Sequence, residues 1–257
     1  MNEKRCALLT MTRNESVMLP VWLRYYLKWF RDEDIFVLDH DSTDGSTDKL
    51  GVNIISIHND KYNDNQWIID EAKRIQKQLL ESGTYRLVLF SHPDEIVIAD
   101  PKNYPGGLTE YMNCMETGTV RCSGRGVVQD LANEKEIDWN RPIFDQRRWW
   151  YFDDHDNKPL LSSHPLDWTW GFHADKDTSG QVIERPIDPS LLMVHLHRVD
   201  LKYMVDRHAY MRKQAFKEGQ SNGGFHHKWT DEEVVRDYRE HQGMRRRIPD
   251  RFNGNIL

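Results

Sequence analysis

Cysteine is scarce in this chain of 257 residues. The three cysteines, Cys6, Cys114 and Cys122, are odd in number and show no C-x-x-C spacing. A disulfide framework needs an even set and a zinc module needs closely spaced pairs, so both are excluded as organising features. The pattern is typical of a reducing compartment, and we expect a cytoplasmic protein.

Long apolar runs are also missing. The chain has 38% hydrophobic against 30% charged residues and a mean hydropathy of −0.78. No stretch approaches the ~20 apolar residues of a membrane helix, and the apolar stretch near Met1 is too short for a signal peptide. We therefore expect no transmembrane segment. Aromatic residues make up 11% of the chain, which argues against disorder.

Positive charge is sparse in residues 1–197, which hold 22 Lys/Arg against 32 Asp/Glu, whereas residues 198–257 hold 13 against 9. The formal net charge is −6, which disfavours general nucleic-acid binding, and we expect no nucleic-acid partner. The basic tail could make a peripheral contact with a membrane surface or with phosphates. It could equally be an ordinary solvated helical face.

Glycine-rich phosphate loops are absent, since the sequence contains neither G-x-G-x-x-G nor G-x-x-x-x-G-K-[ST]. A nucleotide would therefore not be held in a backbone cradle. Carboxylates could instead hold a divalent cation, which takes oxygen ligands and bridges phosphates.

The first hundred residues do contain an alternation of apolar strands and amphipathic helices. Short apolar runs predict strands at residues 7–11, 35–38, 52–57 and 86–90. Apolar residues at helical spacing predict helices over 18–30, with Asn14 as its cap, and over 65–81. Such alternation is typical of βαβ units, so we predict an α/β fold with a mostly parallel sheet flanked by helices.

Later in the chain the periodicity is weaker. Apolar runs predict strands at 119–128 and 191–194, and residues 129–190 are expected to form loops and short strands that face a substrate. Two further helices are predicted, one capped by Asp200 and ending near Lys217, the other capped by Thr230 or Asp231 and ending near His241.

Polar residues follow four of the predicted strands where those strands end. The polar segments are 12–15, 39–45, 91–95 and 195–197. In an open parallel sheet, ligands bind at the carboxyl ends of the strands. Each segment alone is consistent with turn and capping chemistry, but four at one sheet edge predict a binding site.

The order and spacing of these segments resemble the family 2-like glycosyltransferases with a GT-A fold. Three stretches carry the resemblance: Thr-Arg-Asn-Glu at 12–15, Asp-His-Asp-Ser-Thr-Asp-Gly-Ser at 39–46 and Ser-His-Pro-Asp-Glu-Ile at 91–96. They correspond to the family's N-E loop, its D-[DHN]-x-S-T-D-G-[ST] motif and its D-x-D-E-[FIL] motif. Weaker similarity extends over 100–112, 168–173 and 195–200.

The resemblance implies a role for each segment. The residues that would bind the donor nucleotide are Thr12, Arg13, Asn14, Glu15, Asp39, Asp41, Asp44 and His92. Among them, Asp39 would face the base or ribose, while Asp41 and Asp44 would shape their loop. Asp94 would bind Mn²⁺ or Mg²⁺ on the donor diphosphate.

A late histidine often completes the metal site in such enzymes, and the candidates here are His195 and His197. We expect only one of them to serve, on the premise that the two point to opposite faces of a strand, and we select His195.

Position 92 departs from the family pattern, which has Asp where this chain has His92. Imidazole is a good ligand for Mn²⁺-like ions and a poorer one for Mg²⁺. His92 could therefore ligate a softer metal, contact ribose or phosphate directly, or mark a weakened site. It could also belong to a simple turn with Pro93.

Sugar transfer with inversion, the course that the resemblance implies, needs a base to take the proton of the acceptor hydroxyl. The candidates are Asp167, His173, Asp175 and Asp177. We select Asp167 and His173. The rings of Trp168 and Trp170 could stack on a sugar beside this base, or could belong to the core.

The sequence therefore predicts a metal-dependent glycosyltransferase that moves a sugar from a UDP-, GDP- or dTDP-linked donor to a glycan or other hydroxyl acceptor, as in polysaccharide biosynthesis. Two alternatives remain open: a non-catalytic sugar- or nucleotide-binding protein of the same fold, and a metal-dependent phosphoester hydrolase. The predicted organisation is one domain over 1–215, with a nucleotide-binding half (1–100) and an acceptor-facing half (101–215). A helical tail over 216–257 would pack on it.

Overall fold

The computed structural model describes residues 5–61, 64–214, 225–252 and 257. The strands are β1 (Arg5–Thr12), β2 (Ile35–His40), β3 (Asn53–Ile57), β4 (Tyr85–Phe90), β5 (Glu95–Ala99), β6 (Thr119–Val127), β7 (Trp149–Phe152), β8 (Pro159–Ser162), β9 (Asp167–Trp168), β10 (Asp175–Lys176), β11 (Ile187–His195) and β12 (Arg246–Arg247). The helices are α1 (Met18–Tyr26), α2 (Asn65–Glu81), α3 (Gly107–Cys114), α4 (Ile143–Gln146), α5 (Leu201–Met211) and α6 (Asp231–Gly243).

The predicted α/β sheet flanked by helices is confirmed. β3, β2, β1 and β4 are hydrogen-bonded in that order and are all parallel, so their carboxyl ends share one edge. Beyond β4 the sheet is mixed: β8, β6, β7 and β12 each run antiparallel to the strand before them. β11 runs parallel to β6 and antiparallel to β5, which brings the late strand back beside the segment that follows β4.

The first two helices follow their sequence patterns to different extents. The predicted α2 is confirmed, and the side chain of Asp64 caps it by accepting the backbone N–H of Trp67. α1 is shorter than predicted, because it ends at Tyr26 and continues in turns. Asn14 does not cap it: the cap position belongs to Val17, which makes no side-chain capping bond.

The last two helices begin at the predicted caps. Asp200 accepts the backbone N–H of Tyr203 at the start of α5. Thr230 and Glu233 form a capping box at the start of α6, in which each side chain binds the other's backbone N–H. α5 ends at Met211, and its predicted end near Lys217 lies outside the described residues.

The end of the chain packs on the sheet. Val234 and Tyr238 of α6 are buried against Val128, Tyr151 and Met204. The boundary predicted between residues 215 and 216 lies outside the described residues. None of the helices that the structure describes combines the length and apolarity that a membrane span requires.

Candidate functional site

Asn14 fastens the loop after β1 to the loop after β2. Its backbone has φ 56°, a left-handed conformation that Asn tolerates better than most residues. Its Oδ1 accepts the backbone N–H groups of Thr43 and Asp44, at 2.7 and 3.2 Å. Its backbone N–H donates to Ser42 Oγ, and its Nδ2 donates to the hydroxyl of Tyr210 on α5. Asn14 therefore joins the loops after β1 and β2 and does not cap a helix. We call its hydrogen bonds to the loop after β2, together with those of Asp44 to the loop after β1, the latch.

The carboxylate of Asp39 binds within its own loop. Its Oδ1 accepts the backbone N–H of Ser42 at 3.0 Å, and its Oδ2 accepts the hydroxyl of Thr47 at 2.9 Å. Asp39 and Thr12 are direct partners across the β1–β2 pair, so both lie at the carboxyl edge of the sheet. Thr12 is buried there, and its Oγ1 has no hydrogen-bond partner within the described chain.

Asp41 and Asp44 are also engaged in local contacts. Asp44 accepts the backbone N–H groups of Ser46 and Ser16, which ties the second loop to the first. Asp41, with φ 55°, accepts from His58 Nδ1 at 2.8 Å. Backbone and side-chain donors lower the pKa of both carboxyl groups against the effect of burial. These contacts agree with a loop-shaping role, which remains a prediction.

Glu15 and Arg13 point to different partners. Glu15 is buried, and its Oε1 lies 2.5 Å from Arg207 Nη1 on α5. Burial raises the pKa of Glu15 although Arg207 opposes it. Arg13 lies at the far side of the loop, where its Nη1 is 3.2 Å from His40 Nε2.

Asp94 and His195 meet where β5 begins and β11 ends. Glu95 and His195 are partners across this antiparallel pair, and the backbone N–H of Leu196 donates to the carbonyl of Asp94 at 2.7 Å. His195 Nε2 lies 3.7 Å from Asp94 Oδ2. On the other side of the ring, His195 Nδ1 donates to Asp156 Oδ2 at 2.9 Å. The two carboxylates therefore bracket one imidazole, and we call Asp94, His195 and Asp156 the acid–histidine site.

The charges of neighbouring groups shift the pKa values of His195 and Asp94. Burial alone would lower the pKa of His195, but Asp156 and Asp94 outweigh it and raise the pKa to about 10. Burial would raise the pKa of Asp94, yet His195, Arg207 and His92 hold it well below its ordinary range. Without a cation the imidazole is thus protonated at neutral pH, and a metal ion would have to replace that proton.

His92 is anchored beside the acid–histidine site. Its Nδ1 lies 3.4 Å from Glu95 Oε2, and its ring packs edge-on against Phe90 and Phe172. Glu95 is itself bound by Lys158 Nζ at 2.6 Å, and both of these residues are buried. Burial would raise the pKa of Glu95, but the positive charge of Lys158 outweighs this effect and lowers it, so the buried pair is ionised.

His197 lies next to His195 rather than across the sheet from it. The ring centroids are 5.6 Å apart and the planes differ by 29°. The premise that the two histidines face opposite ways is wrong, because residues two apart in extended backbone share a face. Burial lowers the pKa of His197 well below its ordinary value, and its Nε2 is 3.1 Å from His208 Nε2. Of the two, His195 is the one that the structure pairs with Asp94.

The two predicted bases have different surroundings. Asp167 Oδ1 accepts from Lys73 Nζ of α2 at 2.7 Å, and both side chains are partly exposed. His173 Nδ1 donates to the carbonyl of His155 at 2.7 Å, and burial, Lys158 and the ring of His155 lower its pKa to about 3. The hydrogen bond fixes the tautomer whose Nε2 can accept a proton.

Of the two tryptophans between these bases, Trp168 lies in the core and Trp170 lies at the surface. Trp168 is 1% exposed and packs against Phe90 and Phe172, so its ring cannot stack on a sugar. Its Nε1 donates to the carbonyl of Pro159 inside the core. Trp170 is 43% exposed and keeps an accessible ring.

The acid–histidine site has the donor chemistry of a divalent cation site. The 3.7 Å between Asp94 Oδ2 and His195 Nε2 is too long for a hydrogen bond. It fits two ligands that bind one cation at about 2.1 Å each. A carboxylate on the second ring nitrogen, here Asp156, is the usual support of a metal-bound histidine.

The number of donors is small. Across the part of the chain that the structure describes, no group of three or more His, Cys, Asp or Glu side chains is arranged to hold a metal. Two protein donors suit a cation that completes its shell with water and substrate phosphates, as Mg²⁺ commonly does. The residues present therefore fit a cation shared with a substrate and not a closed structural site.

Three residues of this region are absent from the sequence predictions. Asp156 ends a short 3-10 helix (Asp154–Asp156), Lys158 immediately precedes β8, and Arg207 lies in the middle of α5. Each pairs with a residue at least 39 positions away, such as Asp156 with His195. The acidic run of residues 153–156 was a visible signal, but nothing in it indicated which strand it would face.

Comparison with known proteins finds distant similarity in structure alone. No family model and no curated protein matches the sequence. The chain is similar to S. aureus TarS 1-349 in complex with UDP-GlcNAc, at 13% identity and a TM-score of 0.35, over 62% of this chain and 45% of that one. It thus spans less than half the length of that structure.

Two other solved structures show the range of this similarity. The mannosyltransferase PcManGT from Pyrobaculum calidifontis, in complex with GDP-Man and Mn²⁺, is 14% identical with a TM-score of 0.38, over 79% of this chain and 61% of that one. A CMP:2-keto-3-deoxy-manno-octonic acid synthetase complexed with CTP is 8% identical with a TM-score of 0.32, over 95% and 88%. Glycosyltransferases are thus among the structures that this chain resembles, as its motifs predict. At these TM-scores the similarity assigns no activity, ligand or metal to it.

Proposed function

We propose that this protein is a metal-dependent glycosyltransferase that uses a nucleoside-diphosphate sugar. The observation that supports this proposal is the acid–histidine site, in which Asp94 and His195 offer two donors 3.7 Å apart. It stands at the same sheet edge as the loops after β1 and β2. A cation site next to latched loops without a glycine-rich cradle suits a diphosphate held through a metal.

In this proposal Asp94 and His195 hold the cation and Asp156 orients the imidazole. Mn²⁺ is favoured over Mg²⁺ because one donor is an imidazole. When bound, the cation would neutralise the charge that develops on the leaving diphosphate. The charge of Arg207 helps to lower the pKa of Asp94, so Arg207 would add positive potential at the cation site.

The nucleoside would lie against the loop pair, which we define as residues 12–16 and 39–47. Thr12 offers a buried hydroxyl that has no partner within the described residues, and Asp39 is its neighbour on β2. The remaining donor-binding residues of the proposal are Arg13, Asn14, Glu15, Asp41, Asp44 and His92. Because Asn14 and Asp44 are fully engaged in the latch, they would act by fixing the shape of the loops.

The acceptor would be a glycan or another hydroxyl compound, approached from the half of the chain after residue 100. Both predicted bases, Asp167 and His173, stay in the proposal. The Nδ1 of His173 donates to a carbonyl and leaves Nε2 able to accept, but its lowered pKa makes it a weak base, while Asp167 is held by Lys73. Inversion and a role in polysaccharide biosynthesis complete the proposal, in a reducing compartment that suits free cysteines.

The proposal is tested by a screen of UDP-, GDP- and dTDP-sugars for turnover with Mn²⁺ and with EDTA. Release of nucleoside diphosphate that needs the metal, together with the sugar found on an acceptor or in water, would support transfer. Phosphate release from simple phosphate esters without any sugar nucleotide would favour the hydrolase instead. Binding of a sugar nucleotide with no turnover under any condition would favour a non-catalytic binding protein.

A further inference from the structure

Strand β6 separates the acid–histidine site from a second region on the other face of the sheet. A side chain at Gly124 would collide with Asp156, and one at Gly126 would collide with Tyr151. Arg125 lies between these two glycines, and alternate residues of a strand point to opposite faces. Arg125 therefore points away from Asp156 and the site described above.

On that opposite face a cavity of about 220 Å³ is lined by four arginines. Arg125 comes from β6, Arg246 and Arg247 form β12, and Arg251 follows shortly after. The ring of Phe152 lies among them and is 51% exposed. We call this cavity the arginine pocket. Three of its four arginines come from the basic tail, residues 198–257.

Two of these arginines stand close together beside one aromatic ring. The guanidinium carbons of Arg125 and Arg246 lie 4.0 and 5.1 Å from the centroid of the Phe152 ring. Arg125 donates to the hydroxyl of Ser123 and to the carbonyl of Gly124. Among the residues that the structure describes, no carboxylate forms an ion pair with Arg125 or Arg246. The ring attracts both cations, but it does not neutralise them.

The other two arginines are more fully balanced. Arg251 makes two bonds to Asp100, at 2.8 and 2.9 Å, and Arg247 lies 3.6 Å from Asp250. The pocket thus keeps an excess of positive charge. Burial lowers the pKa of Arg125, and the charge of Asp154, which forms no ion pair with Arg125, offsets only part of that effect.

We propose that the arginine pocket binds a phosphate group, carried by a lipid headgroup or by a soluble phosphate ester. Guanidinium groups form paired hydrogen bonds with phosphate oxygens, and an anion between Arg125 and Arg246 would relieve their repulsion. The cavity has room for one such group, and the exposed ring of Phe152 offers an apolar contact beside it. The pocket acts independently of the metal, because it lies on the opposite face of the sheet.

The test is calorimetric titration of the full chain with glycerol 3-phosphate in EDTA, which removes any metal-dependent binding. Arg246 is exposed, so Arg246→Ala removes a guanidinium without disturbing the core. We expect it to weaken binding at least about tenfold. The matched control is Arg239→Ala, which removes an exposed arginine of α6 outside the pocket and should leave the affinity unchanged.

A second arm distinguishes the two sources of phosphate. Co-sedimentation of the wild type with phosphatidylcholine vesicles that contain phosphatidic acid, lost in Arg246→Ala, would identify a lipid headgroup. Binding of glycerol 3-phosphate without vesicle binding would identify a soluble ester. Absence of both, or an equal loss in Arg239→Ala, would overturn the proposal. Nucleoside-diphosphate binding in Mn²⁺ should be the same in Arg246→Ala as in the wild type, so failure here leaves the proposed function untouched.

Discussion

The loop pair and the acid–histidine site both bring carboxylates to one sheet edge, yet they use them differently. In the loop pair, the carboxylates of Asp39 and Asp44 are taken up by backbone N–H and hydroxyl groups of the same loops. In the acid–histidine site, Asp94 faces an imidazole that is too distant for a hydrogen bond. Asp39 and Asp44 therefore shape the surface of the loops, whereas Asp94 keeps its capacity to bind a cation.

This difference divides the expected effects of mutation. A change to Asn14 or Asp44 of the loop pair should act mainly on the free energy of unfolding, since it removes bonds that hold two loops together. A change in the acid–histidine site should act mainly on cation and diphosphate binding. Each prediction below tests one side of that division.

The largest effect is expected from Asp94→Asn. The amide keeps the size of the side chain but loses the charge that a cation needs, so nucleoside-diphosphate affinity in Mn²⁺ should fall at least about a hundredfold. Titration calorimetry measures this affinity. Asp206→Asn is the control, because Asp206 is an exposed acid of α5 that pairs with Lys202. Unchanged affinity in Asp94→Asn would remove this residue from the site.

A smaller loss of metal affinity, about 10- to 100-fold, is expected from Asp156→Asn. Asp156 does not reach the cation in this account but orients His195 through Nδ1. The pKa of His195 in the metal-free protein, raised to about 10, should also fall toward its ordinary value. A histidine NMR titration measures this shift. If the metal affinity fell while the pKa of His195 stayed near 10, the loss would not come through the imidazole.

Asn14→Ala tests the expected effect of a loop-pair change on the free energy of unfolding. It removes two accepted N–H bonds and the bond to Tyr210, and it places Ala at φ 56°. We expect a loss of about 2–4 kcal/mol in the free energy of unfolding, measured by denaturant titration. Asn14→Gly loses the same bonds but tolerates the backbone, so it should be about 1 kcal/mol less destabilising. Equal stability of Asn14→Ala and the wild type would contradict the latch.

The smallest effect is expected from Asp41→Asn, which keeps the left-handed backbone at position 41 but removes the negative charge beside His58 Nδ1, while Asp60 stays 3.4 Å from His58 Nε2. The hydrogen bond and charge of Asp41 raise the pKa of His58. A raised histidine pKa contributes stability that is fully present below its unfolded value of about 6.5 and is lost as pH rises through the folded value. The denaturation midpoint of Asp41→Asn should therefore fall slightly at about pH 5.5 and be close to that of the wild type at about pH 9. A larger difference at high pH would show that Asp41 acts through another contact.

Local patterns were sufficient to predict the parallel half of the fold. Strands β1 and β2 and helix α2 each show a clear apolar pattern in the sequence. Because β1 and β2 are parallel, Thr12 and Asp39 then lie at the same edge of the sheet. The pairing of Asp94 with His195 also follows from this logic, since each stands at a strand end. Their roles toward a ligand remain predictions.

Contacts made across long stretches of chain could not be predicted. Asp156 supports His195, and Lys158 neutralises Glu95, but both come from a segment without periodicity. Trp168 shows the same difficulty, because an aromatic residue beside an acid has the same sequence signature in a sugar site and in a core. The three-dimensional packing of the middle region decides between these alternatives.

The central claim is that Asp94 and His195 hold a cation that binds a diphosphate. The most direct measurement is calorimetric titration of the wild-type protein with UDP, GDP and dTDP, each with Mn²⁺ and again with EDTA. We predict that at least one nucleoside diphosphate binds in Mn²⁺ and that its binding is lost in EDTA. Binding of equal strength under both conditions, or no binding of any of the three, would contradict the claim.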